Sequence, residues 1–69
     1  PHSFDFIFAD PPYSNSKIKL IPEIILSKSI LKSDGLLILE HGNEIDFSNH
    51  PNLIDKRTYS RVNFSFFKP

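Results

Sequence analysis

A strand-like run that ends in two adjacent prolines is the feature that most constrains the fold of this chain. Residues 4–9 read FDFIFA, and residues 10–13 read DPPY. A short aromatic and aliphatic run is typical of a strand buried on both faces, as in a parallel sheet. Pro11 and Pro12 have no N–H to donate to a neighbouring strand, so the strand must end there. The sequence therefore predicts a stiff corner that holds an acidic side chain and an aromatic ring.

Composition and charge argue against disulfides, metal sites, nucleic-acid binding by bulk charge and a membrane span. The chain has 69 residues and no cysteine, which excludes disulfides and thiolate metal sites. Its three histidines have no metal-ligand spacing, and we expect no metal. The formal net charge is zero, so bulk charge does not indicate a nucleic-acid binder. No apolar run approaches the roughly 18 residues of a membrane span, so we expect a soluble, cytoplasmic protein without a membrane partner.

The middle of the chain predicts a helix followed by a second buried strand. Apolar residues at helical spacing favour a regular helix from Leu20 or Ile21 to Leu31, after an irregular turn. Pro22 fits the first turn of such a helix. The segment SDG at 33–35 should end the helix, with Gly35 in a left-handed conformation. We expect the second strand over residues 36–40 and a polar loop over residues 41–52.

The end of the chain predicts an antiparallel hairpin. Segments 55–60 and 61–68 are strand candidates that turn near Ser60 and Arg61. The second segment alternates, with residues 62, 64 and 66 on one face and residues 63, 65 and 67 on the other. We interpret its three phenylalanines as core residues and the basic side chains of the region as a solvated surface. The predicted class is α/β, a βαβ unit followed by a hairpin in the same sheet.

Two polar segments should face one crevice of this sheet. DPPY follows the first strand, and EHGN at 40–43 follows the second. In an open α/β sheet, ligands bind beyond the carboxyl ends of the parallel strands. Glu40 and His41 could therefore support the Asp10 corner or contact a nucleic-acid phosphate. The simpler interpretation is a surface pair that ends a strand.

The DPPY corner is rich in hydrogen-bond acceptors. The Asp10 carboxylate and the carbonyls beside the prolines accept hydrogen bonds, and Tyr13 adds a flat ring on which a base can stack. This combination suits an exocyclic amine held still so that its nitrogen can attack an electrophile, and positioning alone supplies much of the rate. A plain turn after a strand remains the alternative.

The chain resembles a known family along nearly its whole length. FDFIFADPPY, then DGLLILEHG, then RTYSRVNFSFF are similar to the C-terminal half of an RsmD-type methyltransferase. That resemblance implies a Rossmann-like, S-adenosylmethionine-dependent enzyme that methylates the N2 amine of a guanine in small-subunit ribosomal RNA. Residues 1–69 would supply strands four to seven of its single domain, and the N-terminal cofactor-binding half would be absent. Its partner would be ribosomal RNA or the small ribosomal subunit.

The resemblance also assigns roles to individual residues. The residues that match the family's target-amine motif are Asp10, Pro11, Pro12 and Tyr13. Phe8 and Ala9, together with Asp10, would lie near the cofactor. One departure is visible at Tyr59-Ser60, where many family members have Tyr-Gly. If that glycine took a positive φ, Ser60 would cost some strain.

The missing half has two expected consequences and leaves two alternatives open. Without a Gly-rich loop, the 69 residues should neither bind the cofactor usefully nor act alone. Residues 4–9 would form an unpaired sheet edge, through which the isolated chain should self-associate or pair with a companion fragment. The DPPY motif also serves DNA adenine-N6 methyltransferases. The remaining alternative is a non-catalytic α/β module that binds a protein or a nucleic acid.

Overall fold

A mixed four-stranded sheet forms the frame of the chain. The computed structural model describes residues 4–10, 15–28 and 30–69. Their elements are β1 (Phe4–Ala9), α1 (Asn15–Ile18), α2 (Ile21–Ser27), β2 (Leu31–His41), β3 (Leu53–Tyr59) and β4 (Val62–Phe67). The strand order is β1-β2-β4-β3, in which β1 and β2 are parallel and the other two pairings are antiparallel. The predicted α/β class, the parallel pair joined through helix and the C-terminal hairpin are confirmed.

The helix is shorter than its apolar spacing indicates. α2 begins at Ile21, after the one-turn helix α1, as the predicted irregular turn requires. It ends at Ser27, so the predicted end at Leu31 is wrong. The Ser27 hydroxyl donates to the Ile24 carbonyl at 3.0 Å and thereby satisfies an acceptor of the last turn. Neither described helix is long enough to cross a membrane.

Leu31 joins the sheet instead of the helix. It is buried and pairs with Phe4, whereas the next pair along the strands is Phe6 with Leu36. Between these pairs β1 has one residue and β2 has four, so residues 32–35 form an irregular bulge. Strand pairing and burial of Leu31 therefore override the local helical period, and β2 begins five residues before the predicted Leu36.

Gly35 is required by packing rather than by backbone conformation. It lies inside β2, and no described glycine has a positive φ, so the predicted left-handed helix end is wrong. A Cβ at position 35 would lie 2.6 Å from Cδ1 of Leu31 and 3.0 Å from the carbonyl oxygen of Lys32. The bulge folds the chain so tightly here that only a residue without a side chain fits.

One face of the sheet, the core face, packs against the helices and the long loop. Leu37, Leu39 and Phe67 are completely buried there. Ile18, Ile45 and Phe47 cover them from α1 and from the loop after β2. The predicted alternation of β4 is confirmed, but the buried side chains are those of residues 63, 65 and 67. Of its three phenylalanines, only Phe67 is fully buried.

The other face of the sheet, the open face, is apolar and largely uncovered by described residues. Phe6 and Phe8 are 52% and 53% exposed, so the prediction that β1 is buried on both faces is wrong in the described structure. Phe8 lies beside Ile38 of β2, with its ring 6.3 Å from the ring of Phe64. β1 is also an edge strand, which leaves one side of its backbone without a described partner.

The hairpin turn contains the only non-glycine residue with a positive φ among those described. Tyr59 pairs with Val62, so Ser60 and Arg61 form a two-residue turn, as predicted. Ser60 has φ of 59°. A positive φ followed by a negative one is the sign pattern of a type II′ turn, which favours glycine at its first position. Serine therefore stores strain at this position, as expected if a glycine with a positive φ normally stands here.

Replacing Ser60 with glycine should stabilise the protein. The left-handed region costs a residue with a Cβ about 1–2 kcal/mol, and glycine returns about half of that in chain entropy. We expect Ser60→Gly to raise the free energy of unfolding by about 0.5–1 kcal/mol, measured by urea denaturation. Ser60→Ala keeps the Cβ and should change it by only a few tenths. An equal gain in both variants would contradict the strain at this position.

Candidate functional site

The acidic residue of the predicted corner stands at the end of the parallel strand. Asp10 directly follows β1, and its side chain is exposed. Pro11, Pro12 and Tyr13 lie outside the described residues. The structure therefore places the carboxylate of the corner, whereas the roles of its two prolines and its ring stay predictions.

Asp10 shares an open pocket with the end of the second strand. The pocket has a volume of about 210 Å³ and is lined by Asp10, Ile18, Glu40, His41, Gly42, Arg61 and Val62. Asp10, which follows β1, therefore faces the same crevice as Glu40 and His41 at the end of β2, as expected from the parallel sheet. The hairpin turn reaches the same crevice, which the sequence did not indicate.

Three charged side chains meet in this pocket without pairing. Among the described residues, no ion pair involves Asp10, Glu40 or Arg61. Elsewhere on the hairpin the charges do pair, since Arg57 Nε lies 3.4 Å from Asp55 Oδ2. Carboxylates and a guanidinium without an ion-pair partner in the described part of the chain are available to an incoming ligand.

A buried histidine forms the floor beneath these charges. His41 is only 5% exposed, and its Nδ1 lies 2.9 Å from the Gly42 carbonyl oxygen. A carbonyl can only accept, so Nδ1 carries a hydrogen. Nε2 lies 2.7 Å from the Ser65 hydroxyl, which can donate to it. Both ring nitrogens are thus satisfied, and the ring fixes the chain as it leaves β2.

Further hydrogen bonds, buried or partly buried, join the ends of three strands. The Thr58 hydroxyl of β3 donates to Asn63 Oδ1 at 2.7 Å. The Asn63 amide donates to Asn43 Oδ1 at 2.8 Å and to the His41 backbone carbonyl at 3.4 Å. No buried polar side-chain atom among the described residues lacks a partner. A fully satisfied network of this kind rigidifies the floor of the crevice.

Sequence reasoning missed Thr58, Asn63 and Ser65. The available signal was the alternation of VNFSFF, which places two short polar side chains on the same face as Phe67. The interpretation of all three phenylalanines as core residues did not decide which face of β4 is buried. The polar face is buried, because His41 of the neighbouring strand supplies hydrogen-bond partners there.

The loop after β2 is tied to α2 near its end and has a local turn in its middle. His50 accepts from the Asn52 N–H at its Nδ1, so its Nε2 donates to the Glu23 carboxylate of α2 at 2.7 Å. Earlier in the loop, the Ser48 N–H donates to Asp46 Oδ1 at 2.9 Å, and this hydrogen bond lowers the pKa of the Asp46 carboxyl. These contacts seat Phe47 edge-on against His41, with ring centroids 5.1 Å apart.

The residues expected near a cofactor lie on different faces of β1. Phe8 belongs to the open face, whereas Ala9 packs towards the core face and Asp10 follows at the crevice. Small-molecule pockets usually occupy about 300–1,000 Å³, more than the crevice offers. The crevice alone is therefore smaller than a typical cofactor pocket.

Two comparisons relate the chain to known proteins. The family model "Conserved hypothetical protein 95" matches residues 1–68. A protein of Bacillus subtilis (strain 168) named "Putative rRNA methyltransferase YlbH" is 29% identical over 68 residues. The match covers 94% of this chain and 37% of the relative, so the chain spans little more than a third of that protein's length. The resemblance noted from the sequence motifs is confirmed, and the chain belongs to the conserved hypothetical protein 95 family, the RsmD-like family.

Proposed function

We propose that this chain is the substrate-side part of an RNA methyltransferase that modifies the N2 amine of a guanine in small-subunit ribosomal RNA. The observation that carries the proposal is the position of Asp10. A carboxylate with no ion-pair partner among the described residues stands at the carboxyl end of a parallel strand, in a crevice shared with Glu40 and Arg61. Family membership and the name of the relative support methyl transfer to ribosomal RNA.

The chemistry of the amine explains why a carboxylate is needed there. The lone pair of an exocyclic amine is delocalised into the purine ring, so the amine is a weak nucleophile. An acceptor on its N–H hydrogens favours a lone pair centred on nitrogen and holds that nitrogen in place. Asp10 can accept one hydrogen, and by its motif the Pro11 carbonyl would accept the other, with Tyr13 stacked on the base. The hydrogen-bonded network around His41 keeps the floor of the crevice rigid.

The methyl donor requires residues beyond those described. S-adenosylmethionine, when bound, supplies an electrophilic methyl group to the positioned amine. By the resemblance, residues 1–69 would form strands four to seven of the domain, and other residues of the enzyme would form most of the cofactor pocket. The edge of β1 that has no partner strand among the described residues is where a further strand of a larger sheet would pair. We therefore expect the 69 residues alone to be inactive.

A methyl-transfer assay on two lengths of protein tests the proposal. The product of the whole reading frame that encodes this chain and the 69-residue chain are each incubated with labelled S-adenosylmethionine and unmethylated small-subunit ribosomal RNA. The RNA is then digested and its nucleosides are identified by mass spectrometry. We expect N2-methylguanosine from the longer form and no product from the 69 residues.

The same assay separates the alternatives. Adenine-containing duplex DNA is offered in parallel, and N6-methyladenine in place of N2-methylguanosine would replace the RNA assignment with a DNA one. A longer form that methylates neither substrate would favour a non-catalytic binding module. The small ribosomal subunit, offered beside naked RNA, identifies which of them is the physiological substrate.

A further inference from the structure

The hairpin turn brings a positively charged residue, Arg61, to the Asp10 crevice. β4 runs antiparallel to β2, and the pair His41–Asn63 places the first residues of β4 beside the last residues of β2. The turn that precedes β4 therefore lies at the same end of the sheet as the carboxyl ends of β1 and β2. Arg61 of this turn lines the same pocket as Asp10.

The Arg61 guanidinium is available, in contrast to its neighbour on the hairpin. Arg61 is exposed, and no ion pair within the described ranges involves it. Arg57 is also exposed, but it pairs with Asp55 on its own strand. A guanidinium offers five N–H donors in a planar fork that matches the oxygens of a phosphate. The earlier interpretation of Arg61 as part of a solvated surface does not account for its position in the pocket.

The backbone that carries Arg61 is held firmly. Val62, the next residue, is followed by Asn63, which is 3% exposed and hydrogen-bonded to β3, to the loop and to β2. The turn itself is only two residues long and is closed by the pair Tyr59–Val62. The side chain therefore extends from a fixed point at the rim of the crevice.

We propose that Arg61 is a positioning residue that binds a backbone phosphate of the RNA beside the target nucleotide. The inference rests on the proposed function. Asp10 and Glu40 give the crevice two negative charges, which would repel the backbone of an approaching nucleotide. Arg61 offsets them at the rim, so that the amine can reach the carboxylate while the phosphate stays outside. Phosphate contacts of this kind fix the register of a nucleic acid on its protein.

RNA binding by matched arginine variants tests the proposal. Arg61→Ala, Arg61→Lys and Arg57→Ala are made in the product of the whole reading frame. Their Kd for small-subunit ribosomal RNA is measured by filter binding across a salt series. Arg57→Ala is the control, because it removes one positive charge from the same hairpin outside the pocket.

We expect Arg61→Ala to raise Kd about five- to tenfold and to reduce the slope of log K against log salt by about 0.7–0.9, as loss of one phosphate contact does. Arg57→Ala should raise Kd less than twofold. Arg61→Lys should restore the salt slope while recovering only part of the affinity, because an ammonium lacks the guanidinium fork. In methyl transfer, Arg61→Ala should raise KM for RNA more than it lowers kcat.

The outcomes separate this inference from the proposed function. If the parent protein methylates RNA and Arg61→Ala binds RNA like the parent, the phosphate contact is overturned and the enzyme assignment stands. Weaker binding with an unchanged salt slope would also overturn it, since Arg61 would then contact a base or support the fold. A parent that binds RNA through Arg61 but transfers no methyl group would overturn the enzyme assignment alone. A parent that binds no RNA would overturn both.

Discussion

Asp10→Ala should reduce methyl transfer by about a hundredfold or more in the complete enzyme. The substitution removes the acceptor that holds the reacting amine, and misplacement of a reacting group by about 1 Å costs rates of this order. Asp10 is exposed at the end of β1, so its truncation should leave the fold intact. The measurement is single-turnover transfer from labelled S-adenosylmethionine to ribosomal RNA, with circular dichroism to verify folding.

Two variants make the Asp10 result specific. Asp10→Asn keeps an accepting oxygen without the charge and should retain more activity than the alanine variant. Asp5→Ala truncates an aspartate at the other end of the same strand, where Asp5 Oδ1 lies 3.1 Å from Lys32 Nζ. It should transfer methyl groups within twofold of the parent, because exposed ion pairs contribute little. Equal activity of the Asp10→Ala and Asp5→Ala variants would remove Asp10 from the mechanism.

Phe67→Ala should destabilise the chain severely. Phe67 is completely buried, pairs with Leu37 and contacts the rings of Phe47 and His50 edge-on, each at 5.2 Å. Loss of a buried phenylalanine costs about 3–5 kcal/mol. A domain of this size has roughly 3–10 kcal/mol in total. We expect thermal unfolding to lose its cooperativity or to move far to lower temperature.

The neighbouring phenylalanine provides the control. Phe66→Ala removes the same side chain from the open face, where Phe66 is half-buried beside Ile38. It should cost about 1–2 kcal/mol, in proportion to the smaller apolar area taken from water. Thermal unfolding of both variants by circular dichroism gives the comparison. A larger loss from Phe66→Ala would mean that the open face is covered and that the assignment of the two faces is wrong.

The sequence predicted the elements whose signals are local. The proline pair after FDFIFA fixes the end of β1, and the polar turn at Ser60 and Arg61 fixes the hairpin. The predicted end of α2 was wrong because Leu31 fits both the apolar spacing of a helix and the apolar pattern of a strand. Only its pairing with Phe4, distant in sequence, decides between them. Gly35 was misread for the same reason, since its close contact with Leu31 exists only after β2 has joined the sheet.

The site was predictable in part. The carboxyl ends of parallel strands lie at the same end of any such sheet. Asp10 and Glu40 could therefore be placed together from their order in the chain. Arg61 could not, because its arrival at the crevice depends on which strand β4 pairs with. The burial of Asn63 and Ser65 likewise depends on His41 lying opposite them.

The two edges of the sheet differ in a way that limits how copies of the isolated chain could assemble. β3, at one edge, carries the consecutive charged residues Asp55, Lys56 and Arg57, which discourage pairing with another strand. β1, at the other edge, carries exposed aromatic rings and few charges. If copies associate through β1, as we expect, each copy uses the edge strand that favours pairing, and its other edge strand, β3, discourages it. Growth then stops at a closed pair, related by a twofold axis, instead of continuing into a filament.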